Sequence, residues 1–180
     1  MYEKFFVSPD VADEMEYLLL GNKHFPWYYN KSTLDDVTER EKNDKGVDNP
    51  QFTHVFYFDQ KTNSHHYKNV MKILREVKLP FKKIYLHKIK ANLNYNVRDY
   101  KEDDHQLIHT DMLHGDYKSF IYYVNETDGD TLFFNDRLEI IDRVSPKKGM
   151  GILFDSNTKH AAQNPIKYYT RAVINFVWSI

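Results

Sequence analysis

Two hydrophobic periods divide the chain. Near the N-terminus apolar residues recur at helical spacing: Val11, Met15, Leu18 and Leu19 stand at i, i+4, i+7 and i+8, one face of a helix. Ser8-Pro9-Asp10 gives that helix a hydroxyl N-cap, a proline at its first position and an acid in its first turn. Gly21-Asn22 supplies the stop. A second helical face runs from Ser64 to Val77, carrying Tyr67, Val70, Met71, Leu74 and Val77, with Pro80 just beyond. Between the helices, FTHVFYF at 52–58 reads as a short strand. From Ile84 onward the period falls to two. Strands are predicted at 84–93, 118–125, 131–134, 138–144, 150–154 and 171–178. Turn chemistry separates them at Asp128-Gly129, Asn135-Asp136, Pro146–Gly149 and Asn164-Pro165. Closely spaced short strands indicate a sandwich or barrel. The predicted fold is therefore mainly β (α+β), with the N-terminal helices packed on one face of the β core.

The stretch 30–50 fits neither period. It holds Asp35, Asp36, Glu39, Arg40, Glu41, Lys42, Asp44, Lys45 and Asp48 and few large apolar residues. It reads as a loop: either a lid over a site or a plain surface connection. Repeats, low-complexity tracts and linkers are absent. The expectation is one domain over 1–180, with a helical part at about 1–80 and the β core at about 81–180.

Composition narrows the chemistry. Hydrophobic residues are 41% and aromatics 16%, with 14 Tyr and 12 Phe. That suits a core carrying hydroxyls, as inside a small barrel. Net charge is -1, which lacks the footprint of a general nucleic-acid binder. There are no cysteines, so disulfides, thiolate-held zinc, iron–sulfur clusters and thiol nucleophiles are excluded. The sequence shows no signal-peptide pattern and no apolar run near the roughly 18 residues that span a bilayer. A soluble, cytoplasmic protein with no membrane partner is expected; the oligomeric state is left open.

Nine histidines are present, so spacing must select among them. In extended chain, residues i and i+2 share a face, and His109-Thr110-Asp111 then offers an imidazole and a carboxylate to one ion. Taken alone, such a triplet arises often by chance. His160 follows after the apolar run Met150–Phe154. It completes a set of two histidines and one carboxylate, the facial triad of non-haem iron(II) oxygenases. Arg171 opens the final apolar strand, RAVINFVW. A guanidinium there either pairs with a surface acid at a strand edge or meets a carboxylate ligand with its planar fork.

His109-Thr110-Asp111, His160 and Arg171 in this order resemble the iron(II)/2-oxoglutarate-dependent dioxygenase superfamily, and within it the prolyl 4-hydroxylase type. That type carries Gly-Gly-Glu-Thr-x-Phe between the triad elements. Here Asp128-Gly129-Asp130-Thr131-Leu132-Phe133 stands there, behind Phe120–Asn125. Gly149–Asp155 is similar to the strand before the distal histidine. Asp128 and Asp130 depart from the pattern, and Arg171 replaces a lysine common in collagen-type enzymes. Short virus- or bacterium-encoded members are similar as well. The resemblance covers about 84–180 well and the N-terminal half in outline.

The resemblance implies a double-stranded β-helix, or jelly roll, with Fe(II) held by His109, Asp111 and His160. 2-Oxoglutarate would chelate the metal and rest its far carboxylate on Arg171. O2 would be the second cosubstrate and ascorbate a supporting reductant. The products would be succinate, carbon dioxide and a hydroxylated peptide or small molecule, with a prolyl residue as the expected target. Asn92, Tyr95 and Tyr123, on or beside strands flanking the triad, are further candidates for cosubstrate binding. Trp27, Tyr28, Tyr122 and Trp178 are candidate walls for a proline ring. A nucleobase demethylase would carry a second arginine where Val177 stands. The alternatives are a hydroxylase of a free amino acid or other small metabolite, and a non-enzymatic jelly-roll binding module. The latter would have lost a ligand or the arginine, and this sequence keeps all four.

Overall fold

The computed structural model describes residues 2–34, 43–81 and 83–180. In chain order its elements are β1 (Glu3–Phe6), α1 (Pro9–Glu16) running into a π turn (Tyr17–Gly21), β2 (Tyr28–Asn30), β3 (Gln51–Phe58), β4 (Lys61–Thr62), α2 (Tyr67–Glu76), β5 (Tyr85–Tyr95), β6 (Tyr117–Tyr123), β7 (Thr131–Phe134), β8 (Ile140–Val144), β9 (Met150–Asp155), β10 (His160–Ala162) and β11 (Thr170–Ser179). The seven expected strands are all present, each within two residues of its expected ends. Four very short strands, β1, β2, β4 and β10, were not expected. They owe their form to pairing: β1 lies along β9, β2 and β4 along β3, and β10 along β7. The first eighty residues thus contribute strands as well as helices.

A large antiparallel sheet has the order β1-β9-β6-β11-β5-β3-β2, with β4 on β3. A small sheet, β10-β7-β8, faces it. The two layers do not close into a continuous barrel, yet the jelly-roll architecture is the expected one. Alternation assigns each strand two faces. On β11, Ala172, Ile174, Phe176 and Trp178 join Phe120, Tyr122 and Ile89 in a core with helix residues Met15, Leu19, Val70 and Ile73. The opposite face packs Ile121, Tyr123, Met150, Ile152, Phe154 and Val173 against Phe133 and Val144 of the small sheet. Both helices therefore cover one face of the large sheet, and the space between sheets is free for a site.

The helices keep the predicted signals with one shift. Ser8 accepts from the Val11 amide at 3.4 Å, capping α1, and its hydroxyl donates to Glu76 Oε1 at 2.7 Å, tying the two helices. Helix α2 begins three residues later than expected, because Ser64–His66 form a turn. Val70 and Ile73 are its fully buried residues, with Val77 buried just past its end, while Met71 and Leu74 are half-buried. The buried stripe is thus rotated to take in Ile73. No helix of the described residues is long and apolar enough to cross a membrane.

Gly151 on β9 pairs with Phe5 on one side and Tyr122 on the other. A Cβ there would sit 2.1 Å from the Phe120 ring. Gly151→Ala is expected to lower stability by about 1–3 kcal/mol through overpacking. Urea denaturation checks this, with an unchanged midpoint as the contrary result.

Candidate active site

The central contact is between two histidines on separate segments. His109 and His160 form an isolated antiparallel bridge, each backbone N–H donating to the other's carbonyl at 3.0 and 2.9 Å. Directly paired residues project their side chains on the same side, and the imidazole centroids lie 4.5 Å apart. Asp111, two residues along, stays on this side because its amide and that of Met112 both donate to the Ser156 carbonyl. One ligand atom from each of His109, Asp111 and His160 falls within 4.8 Å of the others.

Both rings are oriented from behind. His109 Nδ1 lies 3.1 Å from the Leu107 carbonyl and His160 Nδ1 2.9 Å from that of Thr158. An acceptor at Nδ1 places the proton there and leaves the Nε2 lone pair for a metal. The Phe154 ring meets His160 edge-on at 5.0 Å. Asp111 is also braced: Ser119 Oγ donates to Oδ2 at 2.6 Å and Asn175 Nδ2 to Oδ1 at 2.8 Å. Lys88 Nζ stands farther off, 4.0 Å from Oδ1. Two imidazoles and a carboxylate, all oriented by second partners, fit a divalent iron that keeps open coordination positions.

Electrostatics set the charge of this cluster. Burial, then the neighbouring His160, pushes the His109 pKa down to about 4, against the opposing pull of Asp111. For Asp111, burial favours the acid form, but His160, Lys88, His109 and the Ser119 hydrogen bond together outweigh it, bringing the pKa to about 2. At neutral pH His109 is therefore a neutral base and Asp111 an anion.

Arg171 lies on the same cavity. It is 2% exposed, so the strand-edge reading does not apply. Its Nε donates to the Gly129 carbonyl at 2.6 Å and an Nη to Thr131 Oγ1 at 2.8 Å. No carboxylate among the described residues lies within ion-pair distance of it. Gly129 permits the approach: a Cβ there would meet the Gln163 carbonyl at 2.5 Å and Arg171 Cδ at 2.7 Å. A glycine is needed at that place in the Asp128–Phe133 segment for reasons of space.

The other predicted contacts divide. Asn92 lines the cavity, and its Oδ1 is buried with no partner among the described residues. Tyr123 is fully buried behind the cavity wall and donates to Thr131 Oγ1 at 2.8 Å. Tyr95 does not reach the cavity; its ring packs on Phe52 at 6.1 Å. The four expected aromatic walls are also misplaced. Tyr122 and Trp178 are wholly buried on the helix side, because they occupy the other phase of their strands. Trp27 donates to the Leu19 carbonyl and Tyr28 stacks on His54 at 6.1 Å.

In their place the cavity has polar residues that sequence reasoning missed: Lys88, Lys90 and Asn94 beside Asn92 on β5, Asn175 on β11, and Gln51 and Gln106. Their signal was available. Lys88, Lys90, Asn92 and Asn94 stand at every second position of one strand, as do Arg171, Val173 and Asn175. The segment 35–42, which held most of the charges behind the lid reading, lies outside the described residues. Its flanks are at the site: Thr33 and Leu34 line the cavity, Thr33 Oγ1 donates to Gln106 Oε1, and the Ile108 amide donates to Asp44 Oδ2 at 2.8 Å. Asp44 is buried and works as a structural acceptor, unlike the solvated loop charge expected there.

The depressed His109 pKa has a measurable consequence. The unfolded chain protonates this ring near about 6.5, its ordinary value, while the fold resists protonation until about 4. Between these values the unfolded state binds more protons, so stability falls as pH is lowered. The contribution is at most about 1.4 kcal/mol per pH unit. Urea titrations of metal-free protein from neutral to acid pH should show this slope, and His109→Gln should flatten it. Parallel pH dependences in the two proteins would contradict the assignment.

Residues 95–178 match the family model described as the 2OG-Fe(II) oxygenase superfamily. No curated protein matches the chain by sequence. Among solved structures, a 2OG-Fe(II) oxygenase family oxidoreductase from Burkholderia pseudomallei superposes with a TM-score of 0.64 at 11% identity, over 98% of this chain and 85% of that one. A prolyl-4-hydroxylase from Pseudomonas putida gives 0.56 at 12% identity, over 99% and 91%. The viral collagen prolyl hydroxylase of Paramecium bursaria Chlorella virus-1 gives 0.54 at 17% identity, over 99% and 90%. At these identities the likeness is one of fold. The segment carrying His109, Asp111, His160 and Arg171 matches the 2OG-Fe(II) oxygenase superfamily in sequence, and nearly the whole chain has the fold of its solved structures, prolyl 4-hydroxylases included.

Proposed function

We propose that this protein is an iron(II)- and 2-oxoglutarate-dependent dioxygenase that hydroxylates a C–H bond of its substrate. One observation carries the reading. A single cavity holds a three-ligand cluster of two imidazoles and a carboxylate and, along the same wall, a buried guanidinium without an acidic partner among the described residues. A buried charge with no counter-ion is costly, and a dicarboxylate that also reaches the metal would supply one.

His109, His160 and Asp111 would hold the iron. With 2-oxoglutarate and O2, iron supplies oxidative decarboxylation to succinate and carbon dioxide, with one oxygen atom passing to the substrate. Arg171 would bind the far carboxylate. Thr131 Oγ1 already accepts from both Tyr123 and Arg171, so its own proton remains to donate into the cavity. Tyr123 then acts through Thr131, without touching the cosubstrate. Ascorbate would keep the iron reduced.

For the substrate, a prolyl residue is supported by the resemblance of Asp128–Phe133 to the prolyl hydroxylase segment and by prolyl hydroxylases of the same fold. A small polar metabolite such as a free amino acid is favoured by a different observation: the cavity wall is made of lysine and side-chain amides, with the aromatic residues turned away.

His109→Ala, Asp111→Ala and His160→Ala should each lose iron-dependent succinate formation while keeping a native circular dichroism spectrum. Near-normal turnover in Asp111→Ala would count most directly against the triad. Arg171→Ala should weaken 2-oxoglutarate binding by about 2–5 kcal/mol with far less effect on metal binding; calorimetry with an inert divalent metal separates the two. For the substrate, the prolyl reading predicts that a proline-rich peptide library incubated with enzyme, iron(II), ascorbate and 2-oxoglutarate yields peptides heavier by one oxygen atom on proline. Succinate release with no modified peptide would leave the small-metabolite reading.

A further inference from the structure

Strand register gives the cavity a direction. On β11, Arg171 pairs with Asn94, Asn175 with Lys90 and Val177 with Lys88. At about 3.3 Å per residue, Lys88 lies roughly 20 Å of strand from the Arg171 end. Asp111 reaches the sheet towards the Lys88 end, through its bonds to Asn175 and to Ser119, which pairs with Val177. A five-carbon dicarboxylate held by Arg171 and the triad occupies the Arg171 side. The space beside the triad at the Lys88 end is left for the primary substrate.

Lys88 has little to hold it there. Its side chain is 24% exposed and its ammonium is 4.0 Å from Asp111 Oδ1, an oxygen that Asn175 already serves at 2.8 Å. A dication taken up by the triad would set like charge beside this ammonium and weaken that pairing. Asn175 offers a second feature. It is 8% exposed, its Nδ2 is committed to Asp111, and its Oδ1 is buried without a partner among the described residues. The carboxylate fixes the amide's orientation, since the reverse would set oxygen against oxygen. An unused acceptor and a loosely held cation thus stand on the substrate side of the metal site.

We propose, resting on the oxygenase reading above, that Lys88 anchors an anionic group of the primary substrate while Asn175 Oδ1 accepts from a donor beside it. The substrate is then a small molecule pairing an acid with an N–H or O–H, of which a free amino acid is the simplest case. A neutral side chain inside a peptide would leave both groups unanswered. Lys88 is a specificity-determining residue in this scheme and takes no part in the oxidation.

The test compares free L-amino acids, the free imino acid proline included, with their carboxamides. The first readout is succinate formed above the substrate-free rate with iron(II) and 2-oxoglutarate. The second is equilibrium binding to protein loaded with zinc and 2-oxoglutarate, which needs no turnover. At least one acid should stimulate and bind, and its amide should bind roughly tenfold or more weakly. Lys88→Met should lose about the same factor for the acid and little for the amide, while Lys88→Arg retains acid binding. The proposal fails if acids and amides bind alike, if Lys88→Met binds the acid like wild type, or if only uncharged peptides stimulate. It also fails if succinate forms but no acid raises the rate. Absence of both 2-oxoglutarate binding and succinate formation is a different result, and refutes the oxygenase reading itself. The comparison of acid with amide uses wild-type protein, so it stands even if a variant misfolds.

Discussion

The site depends on one pair of backbone hydrogen bonds. The amides of His109 and His160 each donate to the other's carbonyl across an isolated bridge, and that pairing brings two imidazoles 51 positions apart in the chain onto one side of it. The remaining features of the cluster follow from it. Asp111 shares the side of His109 because of extended-chain periodicity, and the Ser156 carbonyl holds it against the turn before β10. The ring nitrogens facing away find carbonyls at Leu107 and Thr158, so the chain itself sets the orientation of both rings. Such preorganisation lowers the conformational cost of taking up an ion.

A second constraint is the two-faced strand. The odd-numbered positions of β11 beginning at Arg171 turn to the cavity and the even-numbered ones to the helices. The apolar half of each strand holds α1 and α2, while the other half is free to carry lysine, asparagine and arginine. Polar residues at the centre of a sheet are tolerated here because they line a cavity and bond to one another. Asn175 to Asp111, Ser119 to Asp111 and Arg171 to Thr131 are examples.

Much of this was legible from residue order. The long strands announced themselves by alternation, the helices by their spacing and caps, and the triad and Arg171 by spacing and family resemblance. What escaped has physical reasons. β10 is His-Ala-Ala, with no intrinsic strand preference, and exists because β7 and the His109 segment pair with it. The aromatic residues were misassigned by ignoring phase: Tyr122 is one residue from Tyr123, and that step carries it to the opposite face. Asp44 looked like a loop charge because a sequence does not show that a distant amide, that of Ile108, needs an acceptor. The inward lysines and asparagines of β5 were readable once one residue of the strand was known to face the cavity, because period two places the rest.

The groups proposed to grip the dicarboxylate are mounted on different layers. Arg171 belongs to the large sheet and His160 to the small one. Thr131, on the small sheet, spans the gap by accepting from Arg171 and from Tyr123 of the large sheet. The layers that carry Arg171 and His160 are held apart by the apolar residues Ile121, Phe133, Met150 and Ile152 between them. That layer acts as a spacer, and its side-chain volumes decide the length of the molecule these groups can grip together. Change in ligand size during evolution could therefore enter through residues that touch no ligand, by a methyl group gained or lost between the sheets.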